Sequence, residues 1–289
     1  MMNLNQFNER FGTEEQCREY LVASRWPNGP QCPRCSAPEV AKVSNRWAWQ
    51  CRKCSPNGYR FSPLVGTIFE NTNYALKAWF QVIFFMCQSK KGVSALQIHR
   101  MIGSGSYRTA WYMCHRIRAA MNTGTFQALT GQVEVDETYV GGESGNRHIS
   151  KRPGRVARKD KITVGAIARK GNVVARVIEK ADQSTLNAFV DETVSSKVKL
   201  VASDEWPGYD RLTKMGFPHE TVSHQKGEYV RGQVHTANPD PSWGLLKRGI
   251  MGSFHQMSKN YLPFYLAEFT FRHNNRRNAD MFETDVAQC

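Results

Sequence analysis

Seven side chains of this 289-residue chain have types and spacings suited to holding metal ions. Cys32-Pro-Arg-Cys35 and Cys51-Arg-Lys-Cys54 are two C-x2-C pairs with fifteen residues between them. Each pair on a tight turn aims two thiolates at one point, and two such knuckles complete a tetrahedral four-sulfur site for Zn2+. With every position filled by protein, one such ion per chain is structural, and it stabilises a segment too small to bury its own core. Four cysteines at a chance spacing are the plainer alternative. The other three residues are Asp136, Asp204 and Asp240, with thirty-five residues between the last two. Carboxylates converging from different elements suit a pair of hard divalent cations, Mg2+ or Mn2+. Two such ions activate a water or a 3′-hydroxyl and stabilise the leaving oxygen of a phosphodiester. Each acid also has an ordinary reading. Glu134 and Glu137 flank Asp136, Glu205 follows Asp204, and Asp240 before Pro241 is a natural helix N-cap. Lys247 lies seven residues after Asp240, two helical turns along the same face, where it could meet a phosphate or serve as an ordinary surface lysine.

The elements that must carry these residues follow from hydrophobic periodicity. Residues 1–25 read as one amphipathic helix with Phe7, Phe11, Cys17, Tyr20 and Leu21 on its apolar side. Between the cysteine pairs, Val40–Val43 and Arg46–Trp49 read as short strands. Three helices follow: an apolar one around Leu76–Met86, a second over Val93–Ile102, and a third from Tyr107 to Met121 after a Gly-Ser-Gly-Ser turn. That order resembles a helix-turn-helix unit, with Trp111 and Ile117 turned inward. Cys87 and Cys114 fall in apolar helical patterns and read as core residues. From Gly131 the period changes to two. Strands are predicted at Val133–Val140, Ile162–Ala168, Val173–Ile178 and Val198–Ala202, with a helix from Ser184 to about Thr193 that Ser184 or Thr185 caps. A short strand near Glu220–Val222 and two helices after Pro239 complete the order. The fold class is therefore α/β, in the ribonuclease-H-like order, with Asp136 inside the first strand and Asp204 at the C-terminal end of the fourth. Those strands are neighbours in that topology, so the two acids meet at one end of the sheet.

Composition narrows the partners. The formal charge is +14, and residues 31–133 hold thirteen basic and two acidic groups while the rest is nearly balanced. No Asp or Glu occurs between Asn71 and Val133. A segment this one-sided reads as a surface for a polyanion. The residues expected at DNA are Lys90, Lys91, Tyr107, Arg108, Arg116 and Arg118, together with Arg152 and Arg155 in the basic, glycine-containing stretch after Val140. No uninterrupted apolar run spans a bilayer, and the first ten residues lack the apolar core of a signal peptide, so the expected setting is the cytosol.

The ordered series of motifs resembles DDE-type insertion-sequence transposases with an N-terminal zinc ribbon, the fifteen-ninety-five insertion-sequence family. The resemblance rests on the two cysteine pairs, Gly92-Val-Ser-Ala-Leu-Gln-Ile-His-Arg100, Tyr107-Arg-Thr-Ala-Trp-Tyr-Met113, Val133-Glu-Val-Asp-Glu-Thr-Tyr-Val-Gly-Gly142, Ser203-Asp-Glu-Trp206, Val234-His-Thr236, Leu245-Leu-Lys-Arg-Gly-Ile250, Phe254-His-Gln-Met-Ser258 and the run from Tyr265 to Asn275. It covers nearly the whole chain. It implies a ribonuclease-H-like catalytic core, Mg2+ dependence, and cutting and joining of double-stranded DNA at the inverted repeats ending a mobile element, then at target DNA. Asp136 and Asp204 match the first two family acids, and Lys247 matches the lysine after the third. The family has Glu, or Asn in some branches, where this chain has Ala237-Asn-Pro-Asp-Pro-Ser-Trp-Gly244, so Asp240 or Asn238 serves. Asp240 has the charge and the spacing to Lys247, though its side chain is one methylene shorter than Glu.

The expected organisation is an N-terminal helix in 1–25, a zinc ribbon in 26–70, a helical DNA-binding unit in 71–128 and the α/β catalytic domain in 129–280. His235 and His255 lie near matched motifs and are candidates for DNA contact or for structural hydrogen bonds. Arg272, Arg276 and Arg277 are candidates for a DNA-backbone surface on the last helix. A homo-oligomer is expected, because two element ends must be handled together. The competing class is a non-catalytic DNA-binding protein, either a zinc-ribbon regulator or a transposase relic. It accounts for the basic segment but not for the spaced acids of an α/β domain.

Overall fold

Thr13 interrupts what the apolar spacing of residues 1–25 predicts as one helix. In the computed structural model, α1 (Leu4–Phe11) and α2 (Glu14–Arg25) are separate, and Thr13 caps α2 by accepting the Gln16 N–H, while the Gln16 side chain returns to the Thr13 N–H. This capping box satisfies two backbone donors and favours a new helix start over continuation. The structure describes all residues except Met1, Asn45, Ser55, 123–125, 141–160, 223–229, 232–233, 236–238 and Gln256, and the side chains of 161, 230–231, 234–235 and 239–242 are likewise not described. The chain forms two compact units, Met1–Gly124 with Asn275–Cys289, and Thr125–Asn274. No helix among the described residues is long and apolar enough to cross a membrane.

In the first unit, β1 (Val40–Lys42), β2 (Trp49–Cys51) and β3 (Tyr59–Phe61) form an antiparallel sheet in that order. The second strand starts at Trp49, later than its sequence pattern predicts, because Arg46 and Ala48 close the hairpin on Val43. The three-residue β3 lies below what alternation can reveal. The helices α3 (Leu76–Gln88), α4 (Ala95–Ile102) and α5 (Tyr107–Ala120) follow. Gly103 ends α4 in the left-handed conformation at φ 63°, a helix end that suits glycine, and Ser106 caps α5 on the Thr109 N–H. Cys17, Cys87 and Cys114 are buried. The closing helix α9 (Met281–Gln288), which the apolar spacing does not predict, belongs to this unit. Its Phe282 ring stands 5.1 Å from that of Phe11 and 5.6 Å from that of Phe80.

The second unit carries β4 (Gln132–Val140), β5 (Lys161–Ala168), β6 (Val173–Ile178), α6 (Gln183–Thr193), β7 (Leu200–Asp204) and β8 (His219–Val222). The sheet order is β6-β5-β4-β7-β8, antiparallel from β6 to β4 and parallel from β4 to β8, which is the ribonuclease-H-like arrangement. A small hairpin, β9 (Val230–Arg231) with β10 (Val234–His235), was not legible in the sequence. Val133, Val135 and Val201 pack with Leu186 and Phe189 of α6 on one face. The other face is covered by α7 (Pro239–Gly249) and α8 (Leu262–Asn274), through Trp243, Leu246, Leu262 and Leu266. Two helix starts differ from expectation. Asp182, not Ser184 or Thr185, caps α6, because its carboxylate accepts both the Thr185 N–H and the Ser184 hydroxyl at 2.9 Å. Helix α7 begins at Pro239, which puts Asp240 inside its first turn and not at its cap. Prolines at 239 and 241 are tolerated there because first-turn positions have no intrahelical acceptor to lose.

Candidate active site

Strand register brings the first two acids together. In the parallel β4–β7 pair Val133 lies opposite Val201 and Glu134 opposite Ala202. Continuing two residues along each strand sets Asp136 beside Asp204, on strands about 5 Å apart and with side chains on the same face. Both are half-buried, on the two strands in the middle of the sheet. Asp136 Oδ2 accepts the indole N–H of Trp243 at 3.0 Å, and Asp204 Oδ1 accepts the Trp206 backbone N–H at 3.1 Å. Helix α7 packs across β4 and β5, and Gly165, the β5 residue opposite Asp136, makes room for it. A Cβ at Gly165 would lie 2.6 Å from the Trp243 ring.

The neighbouring acids are sorted by their surroundings. Glu134 is fully buried and paired with Nε of the partly exposed Arg169 at 2.6 Å, so its charge is already taken up by an ion pair. Glu137 points to the opposite side of β4 and faces Tyr209. Burial first, and then the charges of Asp204 and Asp136, push its carboxyl up to about 7, against a lowering by the Tyr209 hydroxyl. Burial is the main cause of the rise, and the carboxylates of Asp204 and Asp136 at the same end of the sheet add to it. Such a carboxylate set suits hard divalent ions. Asp240 sits on α7 three residues before Trp243, one helical turn away, and Lys247 is exposed one turn beyond Trp243.

The four cysteines converge as their spacing predicts, and their ligand atoms all lie within 4.8 Å of one another. The Sγ separations are 3.7 Å for Cys32–Cys54 and 3.6 Å for Cys35–Cys51 and Cys35–Cys54. Four sulfurs about 2.3 Å from a tetrahedral zinc stand roughly 3.8 Å apart, so the cluster fits the ion without rearrangement. None is disulfide-bonded. Burial raises the Cys32 thiol, but the Arg34 and Cys35 amides and the Cys35 and Cys51 thiols outweigh it and bring it down to about 7, toward the thiolate a metal needs. Trp26 and Phe61 pack on Trp49 beside this cluster.

On the helical unit, Lys90, Lys91, Tyr107 and Arg108 are exposed. Arg118 is not: it is 1% exposed and belongs to the core side of α5, so its placement at DNA is corrected. Positions 114, 117 and 118 share the buried stripe of that helix, and charge alone did not reveal it. Arg116 is half-buried, donates to the Glu70 carbonyl at 3.2 Å and lies over Trp79 and Tyr112, which commits its guanidinium to packing. Trp111 is half-buried and Ile117 fully buried.

Comparison with known proteins decides the family. Residues 128–274 match the model of the ISXO2-like transposase domain, and residues 12–57 match the transposase zinc-ribbon domain. This chain belongs to the ISXO2-like transposase family. A protein in transposable element ISH50 of Halobacterium salinarum, itself uncharacterised, is 29% identical over 274 residues and is matched over 91% of each chain. Among solved structures, the catalytic core domain of BIV integrase aligns at TM-score 0.27 and 13% identity, over 47% of this chain and 80% of the integrase. A simian T-cell lymphotropic virus intasome structure aligns at TM-score 0.33 and 11% identity, over 67% of this chain and 65% of that one. Superpositions this loose add nothing to the fold assignment, which rests on strand order.

In this transposase, then, the sheet brings Asp136 and Asp204 together, α7 carries Asp240 and Lys247, and the ribbon gathers its four cysteines. Asn238, Arg152 and Arg155, and the side chains of Asp240 and His235, lie outside the described residues. His255 is exposed. Arg272 is buried in an ion pair with Glu268, so it offers nothing to a DNA backbone, and Arg276 and Arg277 lie exposed beyond the end of α8. Sequence reasoning missed Trp243 and Tyr209. The spacing of Trp243 from Asp240 was a usable signal, since residues three apart share a helix face. Tyr209 had none.

Proposed function

We propose that this transposase binds the terminal inverted repeats of its own element and performs metal-dependent strand cleavage and strand transfer, with Asp136, Asp204 and Asp240 as the ligands of two Mg2+ or Mn2+ ions. The observation that carries the reading is the register that sets Asp136 beside Asp204 at the sheet's end. When bound, the two ions supply the Lewis acidity that activates a water or a 3′-hydroxyl and stabilises the departing oxygen. The chain's own part is to hold the carboxylates and the DNA. Trp243 orients Asp136, the Trp206 amide orients Asp204, and Lys247 meets a phosphate from the same helix face as Asp240. Lys90, Lys91, Tyr107 and Arg108 contact the DNA backbone from the first unit, with Arg152 and Arg155 adding basic charge for the same backbone. The zinc ribbon is structural, with one Zn2+ per chain. The working form is an oligomer in the cytosol or nucleoid, since two element ends must be joined.

The test uses the purified full chain, Mg2+ and duplexes carrying the element's ends. The wild type nicks these duplexes or transfers their strands. Asp136→Asn and Asp204→Asn each lose at least about a thousand-fold in cleavage while binding the same duplex. Binding without cleavage in any divalent metal overturns the reading in favour of a DNA-binding relic.

A further inference from the structure

Trp206 stands two residues after Asp204 with half of its surface exposed, while its backbone and its indole nitrogen are both bonded within the fold. Its backbone N–H is bonded to Asp204 Oδ1 at 3.1 Å. Its indole N–H donates to the Ala181 carbonyl at 3.2 Å. Gly208 lies against the ring so closely that a Cβ there would fall 2.7 Å from Cδ1 and 2.8 Å from Nε1. Aromatic rings contribute most to binding through the large apolar area they bury, and half of this ring's area is uncovered. Here the only hydrogen-bonding group of the side chain is already used within the fold. What is left to offer a ligand is therefore the π surface, beside a carboxylate proposed to act on DNA.

We propose that Trp206 is a stacking platform for a single unpaired nucleobase of the DNA strand held at Asp136 and Asp204. The proposal rests on the strand-cleaving reading for the identity of its ligand. Every base has a π face, so the platform needs no hydrogen-bond complement and is sequence-tolerant. A base turned out of the duplex onto the ring would stop the adjoining phosphate from sliding past the acids. The cost of unstacking is smallest where the strand is already nicked or frayed, which favours an element end over internal duplex.

The experiment places 5-iodouracil at each position around the cleavage point of an element-end oligonucleotide and irradiates it with the full Asp204→Asn chain in Mg2+, which binds the duplex without cutting it. The crosslinked residue is then read by mass spectrometry. The expected result is a crosslink to Trp206 from one position next to the cleaved bond. Binding of ends with an unpaired nucleotide weakens about five- to a hundred-fold in Trp206→Leu and stays within about three-fold of wild type in Trp206→Phe, which keeps a ring. Both substitutions keep the backbone N–H on Asp204, so metal binding should not change. A crosslink mapping elsewhere, or equal binding by Trp206→Leu, overturns the proposal. So does a Trp206→Leu variant altered only in self-association by sedimentation, which would make the ring a protein contact. Should Trp206→Leu fail to fold, the crosslink in the Asp204→Asn chain decides alone. Absence of cleavage by the wild type with the Trp206 crosslink present overturns the cleavage reading and leaves the platform standing.

Discussion

Trp243 donates its indole N–H to Asp136 while its ring lies on Gly165, so one side chain sets both the orientation of an acid and the seat of the helix that carries Asp240. Hydrogen bonds to charged groups contribute about 1.5–3 kcal/mol, roughly ten-fold or more in a rate that depends on the carboxylate's position. Trp243→Phe keeps most of the buried surface and loses that bond. It is expected to melt within a few degrees of wild type, to cleave about ten-fold more slowly, and to need more Mn2+ for half-maximal rate. If the residue only packs, melting falls and cleavage at saturating Mn2+ does not. Gly165→Ala forces the ring to shift and should cost about 1–3 kcal/mol, visible in thermal melting. The meeting of Asp136 and Asp204 was legible because strand order and alternation put both on one face of neighbouring strands. Their support was not, since the partnership of Trp243 with Asp136 spans a hundred residues and exists only once α7 lies on the sheet.

At the scale of elements, the ribbon is three strands of three residues each, too short to hold together by pairing alone. A zinc ion at the four thiolates would tie them into a unit, with Trp26, Trp49 and Phe61 as a small apolar backing. Metal analysis should return about one zinc per chain, and Cys35→Ser should return clearly less. A strong chelator should abolish the near-ultraviolet signal of the two tryptophans while the far-ultraviolet signal of the α/β unit persists. A full signal after zinc removal would assign the stability to packing. The cysteine spacing was readable because a metal knuckle is a local feature. The boundaries that went unread are those decided by capping: Thr13 splitting the first helix, Asp182 starting α6, and Pro239 moving Asp240 into the first turn of α7. In each case a side chain competes with its own backbone over three or four residues, which hydrophobic periodicity does not weigh.

Over the whole molecule, the +14 charge is not one surface. The sign of the segment 31–133 is legible from composition, but which of its thirteen basic groups face solvent depends on helix phase. Arg118 adds to the charge and lies in the core of the first unit, whereas Arg108 on the same helix is exposed. The two therefore separate electrostatic from structural contributions. Each phosphate neutralised releases counterions, so the slope of log affinity against log salt becomes shallower by about 0.9 for every duplex phosphate left without its cation. Arg108→Ala should reduce that slope by about one, weaken binding of all sequences alike, and leave thermal melting unchanged. Arg118→Ala should leave the slope per bound molecule as it was and lower the melting temperature, because removing a large buried side chain leaves a cavity in the core. Fluorescence anisotropy across a salt series, set beside melting curves, reads both. Equal slopes for wild type and Arg108→Ala would remove α5 from the DNA surface and shift the polyanion contact to the ribbon's own basic residues.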